Sequence, residues 1–427
     1  VRALQTDVVV IGAGAAGLAA ARRLHERDVN FLVLEARDRT GGRAYTLHAH
    51  DGAPVELGAE FIHGKPEVTF ALLREIGART TQEHGQMLQL RNGRIESAED
   101  IWETSERLLR GIDLHGPDQS FEAFVRSLRT QGVPEGQLDA LYTLIEGFDA
   151  ANASDASAIG IAREWLSGVN DEMFRLPAGY GPVMQHLTML LGERIMMQTR
   201  VEAIQWSAQS VSIRATQTGE PLEIVANRAI VTLPVGVLRK RYVSFIPELP
   251  ARKQKAIEVI AMGPVIRVVH EFRSPFWEHV DGGQYRDAGF LQTYDNSFST
   301  IWTRYPQRTT LLVAWAGGGA AQRLIDRKID PVAQALQTVK KLFPSVDVQG
   351  ELLQSHFHDW QTDPFACGAY SYLRVGAGNA RARLGAAEDK TLFFAGEATS
   401  VHDSGTVAGA IESGYRAADE ASLDSGA

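Results

Sequence analysis

The sequence predicts an α/β chain in which a dinucleotide-binding βαβ domain is interleaved with a second α+β domain of mixed sheet and helical insertion. Three observations predict it. The stretch Asp7–Gly17 (DVVVIGAGAAG) runs from a β-branched apolar strand straight into G-x-G-x-x-G. A second short apolar strand, Phe31–Leu34, ends in the acidic Glu35, near the expected spacing of about 20 residues. From about Pro66 to Arg175 the apolar residues recur at helical spacing instead.

The bulk properties narrow the field. At 427 residues the chain exceeds what one hydrophobic core usually supports, so two domains are expected. A net charge of −9 disfavours nucleic acid as a partner. The single cysteine, Cys367, excludes internal disulfides and Cys-based zinc sites and suits a cytoplasmic chain. The longest apolar stretch, Val8–Ala21, is too short to span a bilayer, and the ASLDSGA ending is polar, so no membrane anchor is expected. The first residue is Val1, which leaves a trimmed leader open.

Each glycine of the first motif has its own task. Gly12 makes the tight turn, Gly14 lets backbone approach a pyrophosphate, and Gly17 lets helix pack on strand. The helix that follows, Ala15 to about Arg27 and including Ala16, points its N-terminal amides at that pyrophosphate. A carboxylate at Glu35 accepts hydrogen bonds from ribose hydroxyls and repels a 2′-phosphate, so FAD or NAD fits better than NADP. Ala36–Arg43 follows, where Arg37 and Arg43 beside Gly41 and Gly42 suit pyrophosphate oxygens. A solvated basic loop is the plainer alternative. Only one complete G-x-G-x-x-G occurs, which argues against a second nucleotide domain.

Four quoted segments combine: G-x-G-x-x-G, Leu34-Glu35-Ala36-Arg37, Gly41-Gly42-Arg43 and Glu56-Leu57-Gly58-Ala59. Together they resemble the flavin-containing amine oxidase family of monoamine and polyamine oxidases, histone-lysine demethylases and L-amino-acid oxidases. The following Phe61-Ile62-His63-Gly64 looks most like the animal polyamine and spermine oxidases. The resemblance implies a discontinuous Rossmann-type FAD-binding domain from residues 1–65, 176–245 and 385–427. Residues 66–175 and 246–384 would form the substrate-binding domain. Gly58, Ala59, Glu60 and Phe61 would lie along the flavin, with Glu60 and His63 towards the substrate.

The remaining elements are read in the same light. Within the helical region, Glu146, Asp149 and Glu164 are either an acidic rim for a cationic substrate or solvated helix faces. Leu176–Gly181 returns the chain to the flavin domain. Strands over Thr199–Ile204, Val211–Ile213 and Ala226–Val231 follow, with Val201 placed by resemblance at the adenine and Pro234 in the family's Pro-x-Gly-Val-Leu segment. The strand Met262–Phe272 carries Arg267 where the family has a lysine that holds a water beside flavin N5. Arginine keeps the positive charge, and so would still stabilise an anionic reduced flavin as a catalytic group, but is no proton donor at neutral pH. Strands at Phe298–Trp302 and Thr310–Trp315 precede a helix from about Ala320 to Leu342, and Tyr294, Trp302 and Trp315 read as pocket walls or as core. His356 and His358 alternate as a metal pair or as packing histidines, and no metal is expected. Trp360–Tyr372 resembles the segment that crosses the flavin ring, with Trp360 facing both cofactor and substrate. The residue at the family's covalent cysteine position is Ala369, with Cys367 offset by two, so FAD is expected to bind non-covalently. Tyr370 matches one tyrosine of the aromatic pair that flanks the substrate nitrogen. Gly396 and Glu397 end a buried strand, and Thr406 and Val407 open a C-terminal helix aimed at the flavin. The second aromatic is missing from His402–Thr406, where Asp403 is expected to pair with a cationic substrate.

The implied function is an FAD-dependent amine oxidase acting on a primary or secondary amine, polyamines included. The substrate hydride would pass to flavin N5, giving imine, then aldehyde, with H2O2 if O2 is the acceptor. Expected partners are the small-molecule amine and O2, with oligomerisation open. The alternative is an FAD-dependent dehydrogenase or desaturase that takes a non-amine substrate or uses another acceptor.

Overall fold

A computed structural model describes residues 2–91, 94–98, 100–167, 172–293 and 297–422. Two large sheets organise it. The first has eight strands with Arg2–Ile11 inside it, parallel to Phe31–Leu34 on one side and to Glu220–Val231 on the other. Val8 to Ile11 are at most 2% exposed, as a parallel strand covered on both faces requires. Beyond Glu220–Val231 come Val211–Gln217, Thr199–Trp206 and Ser244–Ile246, and Leu392–Phe394 pairs with its last residues. The helices Ala15–Glu26 and Val407–Ser422 cover one face in a single apolar cluster. They cross so closely that a Cβ on Gly414 would overlap the Ala16 carbonyl.

The second sheet has seven strands in the order Leu352–Phe357, Val265–Phe272, Leu311–Gly317, Thr300–Trp302, Ala288–Gln292, Gln86–Arg91 and Arg94–Ser97. The helices Gly318–Asp326 and Pro331–Leu342 pack Ala321, Leu324, Leu336 and Val339 against one face. The other face turns Val269, Trp302 and Val313 towards Val55 and Leu57. That contact packs Val55 and Leu57 on the second sheet, next to Gly58 and Ala59 of the site.

Two expectations are corrected. The stretch 66–175 does carry the helices Glu67–Glu75, Asp100–Leu109, Phe121–Thr130, Glu135–Asp149 and Ala158–Trp165. It also supplies the hairpin Gln86–Arg91 and Arg94–Ser97 to the second sheet, because Leu88, Leu90 and Ile95 pack against that sheet's core. The single helix expected from Ala320 to Leu342 is two. Pro331 has no N–H to continue the first, and Asp330 caps the second by accepting from the Val332 amide at 2.9 Å.

Candidate active site

The glycine turn is built by steric necessity. Gly12 has φ of 104°, and a Cβ there would meet the Thr232 hydroxyl at 2.6 Å. A Cβ on Gly17 would overlap the Gly12 carbonyl, so helix and strand can touch only with glycine here. Gly17 thus acts behind the cavity and does not line it. No side chain caps the helix Ala15–Glu26 at Gly14, so its first amides remain available to an anion. Glu35 is buried, and its two oxygens accept from the Ala13 amide at 2.7 Å and the Arg37 amide at 2.8 Å. Each keeps lone pairs for a further donor. Burial pushes its pKa up against those two bonds.

The arginines of the loop are already tied. Arg37 forks Asp363 at 2.8 and 2.9 Å. Burial opposes ionisation of Asp363, but His358, at 2.7 Å, and Arg37 hold it well below the usual carboxylate range. Arg43 donates to the Ala369 carbonyl and to Glu397, at 3.0 Å for the latter. Glu397 also accepts from the Ser371 hydroxyl at 2.7 Å and the Gly405 amide at 3.2 Å.

These residues open on one cavity of about 750 Å³. Gly12, Gly14, Ala16, Glu35, Ala36, Arg37, Gly42 and Arg43 line its dinucleotide end with Val201, Pro234, Gly396, Glu397, Thr406 and Val407. Phe61, His63, Phe148, Phe290, Trp302, Trp315 and Tyr370 line an aromatic chamber. Gly58, Ala59, Glu60, Arg267 and Trp360 also line the wall. Gly58 joins the two ends: a Cβ on it would overlap the Arg43 carbonyl, while its own carbonyl accepts from Arg267 Nη1 at 2.8 Å. Indole donors fix the wall, Trp360 to the Leu57 carbonyl at 2.7 Å and Trp315 to the Gly147 carbonyl at 2.6 Å. The Tyr370 hydroxyl donates to the Phe148 carbonyl, and His63 stands edge-on to the Phe148 ring at 5.6 Å. Gly405, with φ of 74°, stands beside the Tyr370 ring, where a Cβ would come within 3.4 Å of it, and no second aromatic lies in 402–406. Tyr294 lies outside the described residues.

Three carboxylates are placed otherwise than their sequence positions suggest. Asp403 does not line the cavity, because its residue builds the turn into the C-terminal helix, where its carbonyl accepts from the Thr406 hydroxyl at 2.8 Å. Glu146 stays at the junction of helix and sheet, beside Gly317 to Gly319. Glu60 is enclosed by cations. It pairs with Arg267, lies 3.3 Å from Arg175 and 3.7 Å from Arg304, and accepts from Trp302 Nε1 at 3.1 Å. Burial opposes its charge, yet Arg267, Arg175 and Arg304 hold its pKa down to about 2. Glu56 goes the other way. Burial raises it to about 7, although it accepts from the Tyr180 amide and the Thr46 hydroxyl.

Glu164 does reach the cavity, with Asp149 behind it. Asp149 accepts from Trp165 Nε1 at 3.0 Å and Glu164 from the Ser404 hydroxyl at 3.4 Å. Burial and the neighbouring Glu164 push Asp149 up; burial pushes Glu164 up, with Arg381 opposing. The two strand histidines go to different carboxylates, His356 to Glu271 at 3.6 Å and His358 to Asp363. Among the described residues no three His, Cys, Asp or Glu side chains are gathered to hold a metal. Cys367 sits off the cavity with φ of 54°, and burial raises its thiol.

Sequence reasoning missed Phe148, Phe290 and Gln292 on the chamber wall and Arg175 and Arg304 behind it. Arg304 carried a signal, a charge two residues beyond the strand Thr300–Trp302. Phe148, beside the singled-out Asp149, carried none.

Residues 15–422 match the model of the flavin containing amine oxidoreductases. The chain belongs to that family. Polyamine oxidase 4 of Oryza sativa subsp. japonica is 29% identical over 97% of this chain and 88% of its own length. Probable polyamine oxidase 4 of Arabidopsis thaliana is 30% identical over 97% and 86%. Lysine-specific histone demethylase 2 of Homo sapiens is 29% identical over 96% of this chain, which spans 53% of that relative. Putrescine oxidase bound to putrescine has the same fold, with a TM-score of 0.81 at 21% identity over 98% of this chain and 99% of that one. The chain is an FAD-dependent amine oxidoreductase. Its glycine cradle, uncapped helix terminus and Glu35 fit the dinucleotide, and Ala369 offers no thiol for a covalent link. Among the described residues no helix is long and apolar enough to cross a membrane.

Proposed function

We propose that the enzyme oxidises a primary or secondary amine, polyamines included, that sits in the aromatic chamber, with O2 as acceptor and H2O2 as product. The observation that carries this reading is the single cavity that joins the dinucleotide cradle to that chamber. Bound FAD supplies the two-electron acceptor for the hydride from the substrate Cα. The protein's part is placement and charge. The rings of Phe61, Trp302, Trp315 and Tyr370 exclude water and favour the neutral amine that the chemistry needs. Glu164, on the cavity wall beside Asp149, offers a carboxyl group that a second, cationic nitrogen would draw back towards its charged form, which fits a diamine or polyamine better than a small aromatic monoamine. Glu60 and Asp403 are withdrawn from that role, the first by its arginines and the second by its turn. Glu35, Arg43 and the amides after Gly14 would hold the ribose and pyrophosphate. Val201 and Pro234 would hold the adenine side, and Thr406 and Val407 would put the C-terminal helix dipole at the ring.

Residues 1–65, 176–245 and 385–427 would serve as the FAD-binding domain, and 66–175 and 246–384 as the substrate domain. Strand membership supports this: Arg2–Ile11, Thr199–Trp206 and Leu392–Phe394 share one sheet, Gln86–Arg91 and Leu311–Gly317 the other. A cytoplasmic setting suits the lone cysteine. A second reading, a dehydrogenase that uses another acceptor, draws on Arg267 in place of a lysine–water arrangement. Anaerobic titration with polyamines, monoamines and L-amino acids tests the substrate class. Bleaching of the flavin band by polyamines is expected, and bleaching by none would sink the amine reading. Fast recovery in air would favour the oxidase, slow recovery the dehydrogenase.

A further inference from the structure

Arg267 lies on Val265–Phe272, a strand buried along its whole length, where a charge persists only with partners. Both of its terminal nitrogens are engaged. Nη1 donates to the Gly58 carbonyl at 2.8 Å, Nη2 to Glu60, and the guanidinium lies 5.4 Å from the Trp302 ring centre. Glu60 in turn is held from behind. Arg175 is fixed by Glu83 at 2.8 Å and by the Tyr305 carbonyl at 3.2 Å. Arg304 is fixed by the Pro54 and Leu176 carbonyls at 3.3 and 3.1 Å. Of these charged groups only Arg267 and Glu60 reach the cavity. Three guanidinium groups face Glu60 and Glu83, with Glu56, its pKa raised to about 7, beside them, and the cation of this cluster that meets the cavity is Arg267.

We infer that Glu60 is a positioning residue: it pins the Arg267 guanidinium at the junction of the dinucleotide cradle and the aromatic chamber, where that fixed charge favours the reduced, more negative form of the bound flavin. The inference rests on the FAD reading above. A cation that cannot rotate away acts as a pre-organised stabiliser of added negative charge in a water-poor site. The charge of Glu60 is already met by the protein: Oε2 accepts from Arg267 and Trp302, and Oε1 lies 3.3 Å from Arg175 and 3.7 Å from Arg304. The low pKa of Glu60 keeps the pin charged across the working range.

The test is the two-electron reduction potential of the FAD-loaded protein, measured against reference dyes without any amine. Arg267→Gln is expected to lower the flavin reduction equilibrium at least tenfold, about 30 mV for a two-electron couple. Glu60→Gln would leave three buried arginines around one carboxylate and is expected to lose FAD loading, so Glu60→Asp carries the argument. Shortening the pin by one methylene is expected to shift the equilibrium at least fivefold in the native background and less than twofold beside Arg267→Gln. Equal shifts in both backgrounds, or no shift from Arg267→Gln, overturn the inference. Should Glu60→Asp not load FAD, Arg267→Lys replaces it, because a lysine keeps the charge but not the planar fork that Glu60 pins. A shift below twofold there counts against the inference. A wrong substrate class leaves these potentials intact, whereas a chain that takes up no FAD overturns both readings at once.

Discussion

Glu56 and Glu60 stand four residues apart and are shifted in opposite directions, and the difference is one of company. Both are buried, but Glu60 has three arginines about it, while Glu56 accepts only from an amide and a hydroxyl. The pH consequences have opposite signs. The folded pKa of Glu56 is raised to about 7, so the folded state binds the extra proton between about 4.5 and 7. Its contribution is present below that window and is lost as pH rises through it, by about 3 kcal/mol. The folded pKa of Glu60 is lowered to about 2, so its contribution is present above about 4.5 and is lost as pH falls towards 2. Glu56→Gln keeps an acceptor for the Tyr180 amide and removes the titration. Urea unfolding of the FAD-loaded variant at a series of pH values should show the decline between about pH 5 and 7 flattened. A decline as steep as that of the native chain would show that another group titrates there.

At the scale of elements, the cavity depends on how closely two helices cross. Ala15–Glu26 and Val407–Ser422 both begin at the cavity and meet at Gly414, against the Ala16 carbonyl. Gly414→Val has no space and must move one helix. Such overpacking costs roughly 1–3 kcal/mol and here also tilts both helix termini away from the dinucleotide. Weaker FAD retention on gel filtration and a lower Tm are expected together; a lower Tm with native FAD content would separate packing from binding. Legibility follows the same line between local and distant causes. The glycine turn, Phe31–Leu34, Glu35 and the Gly396–Val407 segment could be read because each residue's task is set by its neighbours in the chain. The hairpin at Gln86–Arg91 was hidden because six residues of alternation sit inside a helical stretch. Pro331 is the residue in the sequence that marks the helix break. The cage about Glu60 was illegible, since Arg175, Arg267 and Arg304 come from three distant segments with no common period. Asp403 misled for the complementary reason: its spacing is right, but its turn is spent on opening a helix.

At the scale of the whole molecule, the chemistry belongs to neither sheet alone. The cradle is carried by Arg2–Ile11 and its neighbours, the seven-stranded sheet gives the aromatic chamber Phe290, Trp302 and Trp315, and the segments Gly58–His63 and Trp360–Tyr370 run between them. FAD that fills the cradle and reaches Gly58 should therefore stiffen parts of both halves. At a free concentration of 100 times its Kd a ligand specific to the folded state adds about 2.7 kcal/mol. Its removal should lower Tm by several degrees. The distribution of that effect is the sharper measurement. Hydrogen exchange of the FAD-loaded and FAD-stripped chains should show protection gained at Gly12–Gly17, and equally at Gly58–His63 and at Trp360–Tyr370, whose indole and carbonyl anchors tie them to the cavity wall. Protection confined to residues 12–43 would mean that the cofactor orders its own cradle only, and that the substrate chamber is assembled without it.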